Sequence, residues 1–93
     1  MDIDKKNRTE LAGFLRLKRS KILPSQASLR EVIRRRTPGL RREEVAYLAD
    51  IGLTWYTWLE QGRQIKVSIE ILNKLSNALM LSQEEKRYLF ALA

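Results

Sequence analysis

The stretch "RREEVAYLADIGLTWYTWLEQGR", Arg41 to Arg63, holds two short helical patterns with almost nothing between them. In the first, Arg41 to Ala49, the apolar positions are Val45, Ala46, Leu48 and Ala49. Asp50-Ile51-Gly52-Leu53 interrupts it, and the second pattern runs over 53–61. Gly62 then suits the left-handed position that commonly ends a helix. Helices joined this closely meet at a steep angle, so the residue inside the bend must be tiny, and Ala46 stands one turn before it. Val45, Ala49, Ile51, Tyr56 and Leu59 are the apolar residues able to hold the pair together. This is the pattern of a helix-turn-helix, whose second helix enters a DNA major groove. A short helical hairpin in any bundle shares part of it.

Within that stretch, "TWYTWLEQGR", Thr54 to Arg63, concentrates two tryptophans and a tyrosine in a chain with only four other aromatics. Three large rings cannot share the buried side of one short helix. At about 100° per residue, Tyr56, Leu59 and Glu60 fall on one side, with Leu53 at its edge. Thr54, Thr57, Trp58 and Gln61 fall on the other, and Trp55 lies at the boundary. The first group is expected to pack inward and the second to face outward. The outward residues suit base edges. Threonine can donate, accept or offer a methyl to thymine, and glutamine can pair with adenine through two hydrogen bonds. An outward tryptophan can cover a thymine methyl or a sugar. Thr54, Thr57, Trp58, Gln61 and Leu53 at the rim are therefore the candidate base-contacting positions. For Trp58 the alternatives are packing under the 22–40 loop or a dimer contact.

Helical patterns continue on both sides. Leu11, Phe14, Leu15 and Ile22 form one apolar stripe, predicting a helix over residues 8–21. Pro24 and Ser25 break it, and Thr37-Pro38-Gly39 marks a turn, with a short helix expected at Ser28–Ile33 between them. Ser68 is placed to cap a fourth helix with Ile69, Leu72, Leu75 and Leu79 on one side. Ser82 and Glu85 have the spacing of a capping box for a last helix ending at Ala93. Strand-like alternation, repeats and low-complexity tracts are absent. The expectation is an all-α, compact five-helix bundle in a single domain, 1–93, with the helix-turn-helix at about 41–62.

Charge and composition exclude several functions. Residues 1–42 carry 13 Lys and Arg against 4 Asp and Glu, while residues 43–93 carry 5 against 7. A pI near 10.1 with this asymmetry points to a polyanionic partner met by one side of the molecule. Surplus charge also serves plain solubility. The sequence has neither cysteine nor histidine, which removes most metal sites, thiol nucleophiles and histidine-based triads. The carboxylates are scattered at apparent helix starts, so an enzyme, a metal and a cofactor are not expected. No apolar run is long enough for a membrane span, and "MDIDKKN" lacks the features of a signal peptide. A cytoplasmic location, at a bacterial nucleoid, is expected.

"RRRTPGLRREEVAYLADIGLTWYTWLEQGR", Arg34 to Arg63, resembles the DNA-binding segment of the MmyB-like transcription regulators. These are a branch of the XRE group, related to lambda-repressor and Cro-type proteins. "TPGLRREEVA" and "TWYTWLEQGR" are the long contiguous signatures, and looser similarity extends through "LAGFLRLKRSKIL" and "SIEILNKLSNALMLSQEEKRYLFALA". The resemblance implies a five-helix, lambda-repressor-like domain that binds double-stranded operator DNA, commonly as a homodimer on two half-sites. Two residues depart from the pattern. Asp50 replaces the usual glycine of the turn, although aspartate tolerates a left-handed backbone better than most residues. Gly52 replaces the usual serine at the start of the recognition helix, where glycine remains an acceptable cap. The family commonly continues into a second, ligand-binding domain beyond the stretch corresponding to this chain. A small-molecule effector is expected only where that domain exists.

The resemblance also supplies a partner for Glu60. A carboxylate on the inner side of a helix needs a counter-charge. The matching glutamate of repressor-like domains pairs with an arginine of the first helix, here Arg19. A structural Arg19–Glu60 pair is the expectation. Arg41 and Arg42 open the second helix, where N–H groups and the dipole also attract phosphate. Arg63 stands at the far end of the recognition helix, and the run Arg34, Arg35, Arg36 can track the backbone or enter a minor groove. These six are the candidate phosphate contacts. The rival reading is a basic helical interaction module, antitoxin-like or RNA-binding, or one attracted to anionic membrane. RNA readers display several stacking aromatics, and membrane binding needs an apolar face that the bundle already uses.

Overall fold

The computed structural model describes residues 3–27 and 38–93. The expected short helix at Ser28–Ile33, residue Thr37 of the turn, and Arg34, Arg35 and Arg36 lie outside the described residues. Among those described there are five α-helices and no strand: α1 (Lys5–Lys21), α2 (Arg42–Ala49), α3 (Leu53–Glu60), α4 (Ile69–Ala78) and α5 (Gln83–Leu92). A single 3-10 turn, Pro24–Ala27, follows α1.

Helix α1 begins earlier than its apolar stripe. Asp4 is the cap, its carboxylate accepting from the Asn7 N–H at 2.8 Å. Periodicity cannot detect that first turn, because its residues are polar and the buried set starts only at Leu11. Ser82 and Glu85 form a reciprocal capping box at α5, and Ser68 caps α4 through the Ile71 N–H. Leu72, Leu75 and Leu79 are buried as expected, but Ile69 is 70% exposed. Side chains on a helix lean toward its N-terminus. Ile69, the first residue of α4, therefore projects past the end of the packed bundle.

The turn between α2 and α3 is closed by the backbone. Asp50 takes the left-handed conformation, φ 55° and ψ 52°. The Ile51 N–H donates to the Ala46 carbonyl at 3.0 Å. Gly52 caps α3 at φ −67°, so the left-handed residue of this turn is the aspartate. The tightest glycine is Gly39: a Cβ there would lie 2.3 Å from the Ser20 carbonyl oxygen. The segment just before α2 is thereby pressed onto the end of α1, with the Leu40 N–H donating to the Arg19 carbonyl at 3.1 Å.

Helix α1 packs against α3 and α5, α2 against α3 and α4, and α4 against α5. One core runs through them, with Leu11, Leu15, Leu40, Val45, Tyr56, Leu75 and Leu89 fully enclosed. Burying a large apolar side chain stabilises by about 1.5–3 kcal/mol, so this core supplies the main favourable contribution. Helix α3 is gripped by α1 on one flank and α2 on the other, which leaves it one free face.

Candidate nucleic-acid interface

The inner face of α3 consists of Tyr56, Leu59 and Glu60, all buried. Glu60 is fully enclosed, yet it carries the charge that a buried site least favours. Three hydrogen bonds answer it. Arg19 grips the carboxylate through both Nε (2.7 Å) and Nη2 (2.9 Å), and Arg42 Nε reaches Oε1 at 3.0 Å. Burial pushes the Glu60 carboxyl up, but hydrogen bonds from Arg19 and Arg42, with the nearby Tyr56 hydroxyl, hold it below its ordinary value. Its hydrogen bond to Glu60 raises Arg19 in turn. The Tyr56 hydroxyl is buried beside the pair without an aligned hydrogen bond, and burial, then the Glu60 charge, push it up. One carboxylate thus ties α1, α2 and α3 together.

Two more arginines of α1 turn the same way. Arg16 donates to the Glu60 carbonyl, and Arg8 Nε to the Gly62 carbonyl at 3.2 Å. Arg19 Nη1 adds the Leu40 carbonyl at 3.0 Å. The last carbonyls of a helix carry partial negative charge, which cations stabilise. Arg8, Arg16 and Arg19 therefore fasten the C-terminal end of α3, Arg8 and Arg19 half-buried and Arg16 still exposed. A count of basic residues includes them with those available to a polyanion. One signal was legible: the three fall within an arc of about 80° that contains Ala12 and borders Leu11 and Leu15, the buried side of α1.

The outer face of α3 differs in kind. Thr54 and Gln61 are exposed, Thr57 is half-buried, Leu53 is 46% exposed and Trp58 36%. The Arg63 guanidinium lies over the Trp58 ring, 5.4 Å from its centroid, and steadies the indole from the far end of the helix. Trp55 is half-buried against the core and lines a shallow groove with Ile51, Ile71 and Lys74. It belongs mainly to packing. Tyr47 of α2, 77% exposed, was not singled out by the sequence pattern.

The start of α2 is less open to phosphate than its two arginines imply. Arg41 is the cap residue, half-buried, and its N–H donates to Glu44 Oε1 at 2.7 Å. Glu43 and Glu44 in the first turn already answer the helix dipole. Arg42 uses its Nε on Glu60 and keeps 37% of its side chain exposed. Arg42 is thus a structural partner of Glu60 with an outward edge.

A family model described as "Helix-turn-helix domain" matches residues 25–89. The chain belongs to the helix-turn-helix domain family. The matched stretch contains α2, α3 and α4 whole, and the helix-turn-helix match together with the basic residues points to a DNA-binding regulatory role. Neither a curated protein nor a solved structure matches the chain. Among the described residues, no group of three or more acidic side chains is placed to hold a metal ion, and no helix is long and apolar enough to cross a membrane.

Proposed function

We propose that this helix-turn-helix domain is a sequence-specific, double-stranded DNA-binding transcription regulator of the MmyB-like branch of the XRE group. The observation that carries the reading is the division of α3. Its buried face is anchored by Tyr56, Leu59 and the Glu60–Arg19 pair, while Thr54, Thr57, Trp58 and Gln61 are left outward. A helix held this firmly can present side chains to base edges at a fixed height and angle, as direct readout requires. Helix α3 enters the major groove with Leu53 at its leading rim. Arg63, Arg41 and the outward edge of Arg42 meet phosphates, and Arg34, Arg35 and Arg36 add backbone or minor-groove contacts. The resemblance to lambda-repressor-like domains supports a homodimer on two half-sites in a bacterial cytoplasm. An effector enters only through a further domain.

Selection of bound sequences from a random duplex pool tests this reading. An enriched palindrome with half-sites about one helical turn apart is expected. Absence of enrichment would overturn it. Competition with single-stranded RNA and with anionic vesicles should leave duplex binding largely intact, whereas effective competition by either would favour a basic interaction module.

A further inference from the structure

The chemistry of the outer face of α3 restricts what it can read. Its five candidate positions, Leu53, Thr54, Thr57, Trp58 and Gln61, include no arginine, lysine or asparagine. Guanine is most often read by the paired donors of Arg or Lys on O6 and N7. Arg63, the nearest arginine in sequence, has its guanidinium over the Trp58 ring. What the face offers instead is apolar surface: half-exposed Leu53, the Trp58 indole and the methyls of two threonines. In the major groove only one base carries an apolar group, the C5-methyl of thymine, and Gln61 can pair with the adenine edge.

We infer that this helix-turn-helix domain selects A·T-rich half-sites by packing Leu53, Trp58 and the threonine methyls against thymine C5-methyl groups. The inference rests on α3 being the reading helix. Leu53 and Trp58 are then the specificity-determining residues, because they supply most of the apolar area. Arg63 is a positioning residue that holds the indole flat while its charge stays at the groove's edge. An exposed leucine at the first residue of α3 contributes little to the fold, so it is available to be covered by DNA.

The test replaces thymine with deoxyuridine in the best duplex from random selection. This removes only the methyl and leaves base pairing intact. Each contacted thymine should weaken binding about fourfold, the value of one buried methyl group. Leu53→Ala and Trp58→Ala should lose the sensitivity at the thymine each one covers, with circular dichroism unchanged. If the duplex binds sequence-specifically and deoxyuridine has no effect, the methyl reading is overturned while the proposed function stands. If no duplex is preferred, both fail together. Selected half-sites dominated by G·C pairs would also overturn the methyl reading, and the uridine experiment on the unaltered protein decides the matter even where a variant does not fold.

Discussion

The two faces of α3 use the same short run of residues for opposite ends. The inner face holds a tyrosine, a leucine and a glutamate, each 3% exposed or less, and the outer face holds two threonines, a tryptophan and a glutamine. A charge sits on the buried side and none on the exposed side. That inversion is explained by what surrounds each face. Glu60 sits where guanidinium groups from α1 and α2 converge, and in the proposed complex the outer face would lie against base edges rather than water. The difference shows that exposure and polarity are separate questions. A buried charge is tolerable where its partners are delivered by rigid helices, and an exposed ring is tolerable where another molecule covers it.

The comparison breaks most visibly through the inner face. Arg19→Met should destabilise the fold by about 4 kcal/mol, because Glu60 keeps only Arg42, and chemical denaturation would register the loss. Glu60→Gln should cost about 3 kcal/mol for the same reason in reverse. An unchanged melting temperature in that variant would remove the structural role given to the pair. A pH titration of stability sharpens the point. The Glu60 carboxyl is held below its ordinary value in the folded state, so the unfolded chain takes up the proton first as pH falls. Its stabilisation is present above the unfolded value of roughly 4.3 and fades below it. Glu60→Gln should lack that part of the acid-induced loss.

Gly39→Ala should come next, at about 2 kcal/mol, since the new methyl meets the backbone of Ser20 and not a yielding side chain. Substitutions on the outer face should leave stability within about 0.5 kcal/mol and act on DNA instead. Trp58→Ala is expected to weaken duplex binding by about 1–2 kcal/mol, read by fluorescence anisotropy; a fallen melting temperature with unchanged affinity would make the ring a packing residue. The smallest effect belongs to Arg63→Ala, which should reduce the salt dependence of binding by roughly one unit of slope.

Much of this arrangement was legible along the chain. The period of Tyr56, Leu59 and Glu60 against Thr54, Thr57, Trp58 and Gln61 follows from helical geometry alone, and the caps at Ser68 and Ser82 follow from local hydrogen bonding. Such signals act over three or four residues, so sequence order carries them. The first turn of α1 was missed because polar residues have no stripe, and Ile69 was misplaced because a stripe does not say where the neighbouring helices end.

The fate of the arginines is another matter. Local pattern determined that the chain folds as helices, that two of them form a tight pair, and which face of α3 turns inward. The resemblance supplied the Arg19–Glu60 pair; only the tertiary structure decided that Arg8, Arg16 and Arg42 also serve the protein's own oxygens. Arg8, Arg16 and Arg19 reach the end of α3 across separations of 54, 44 and 41 residues. A guanidinium is the same group in every local sequence, and whether it meets a carboxylate or water depends on helices brought together by the core.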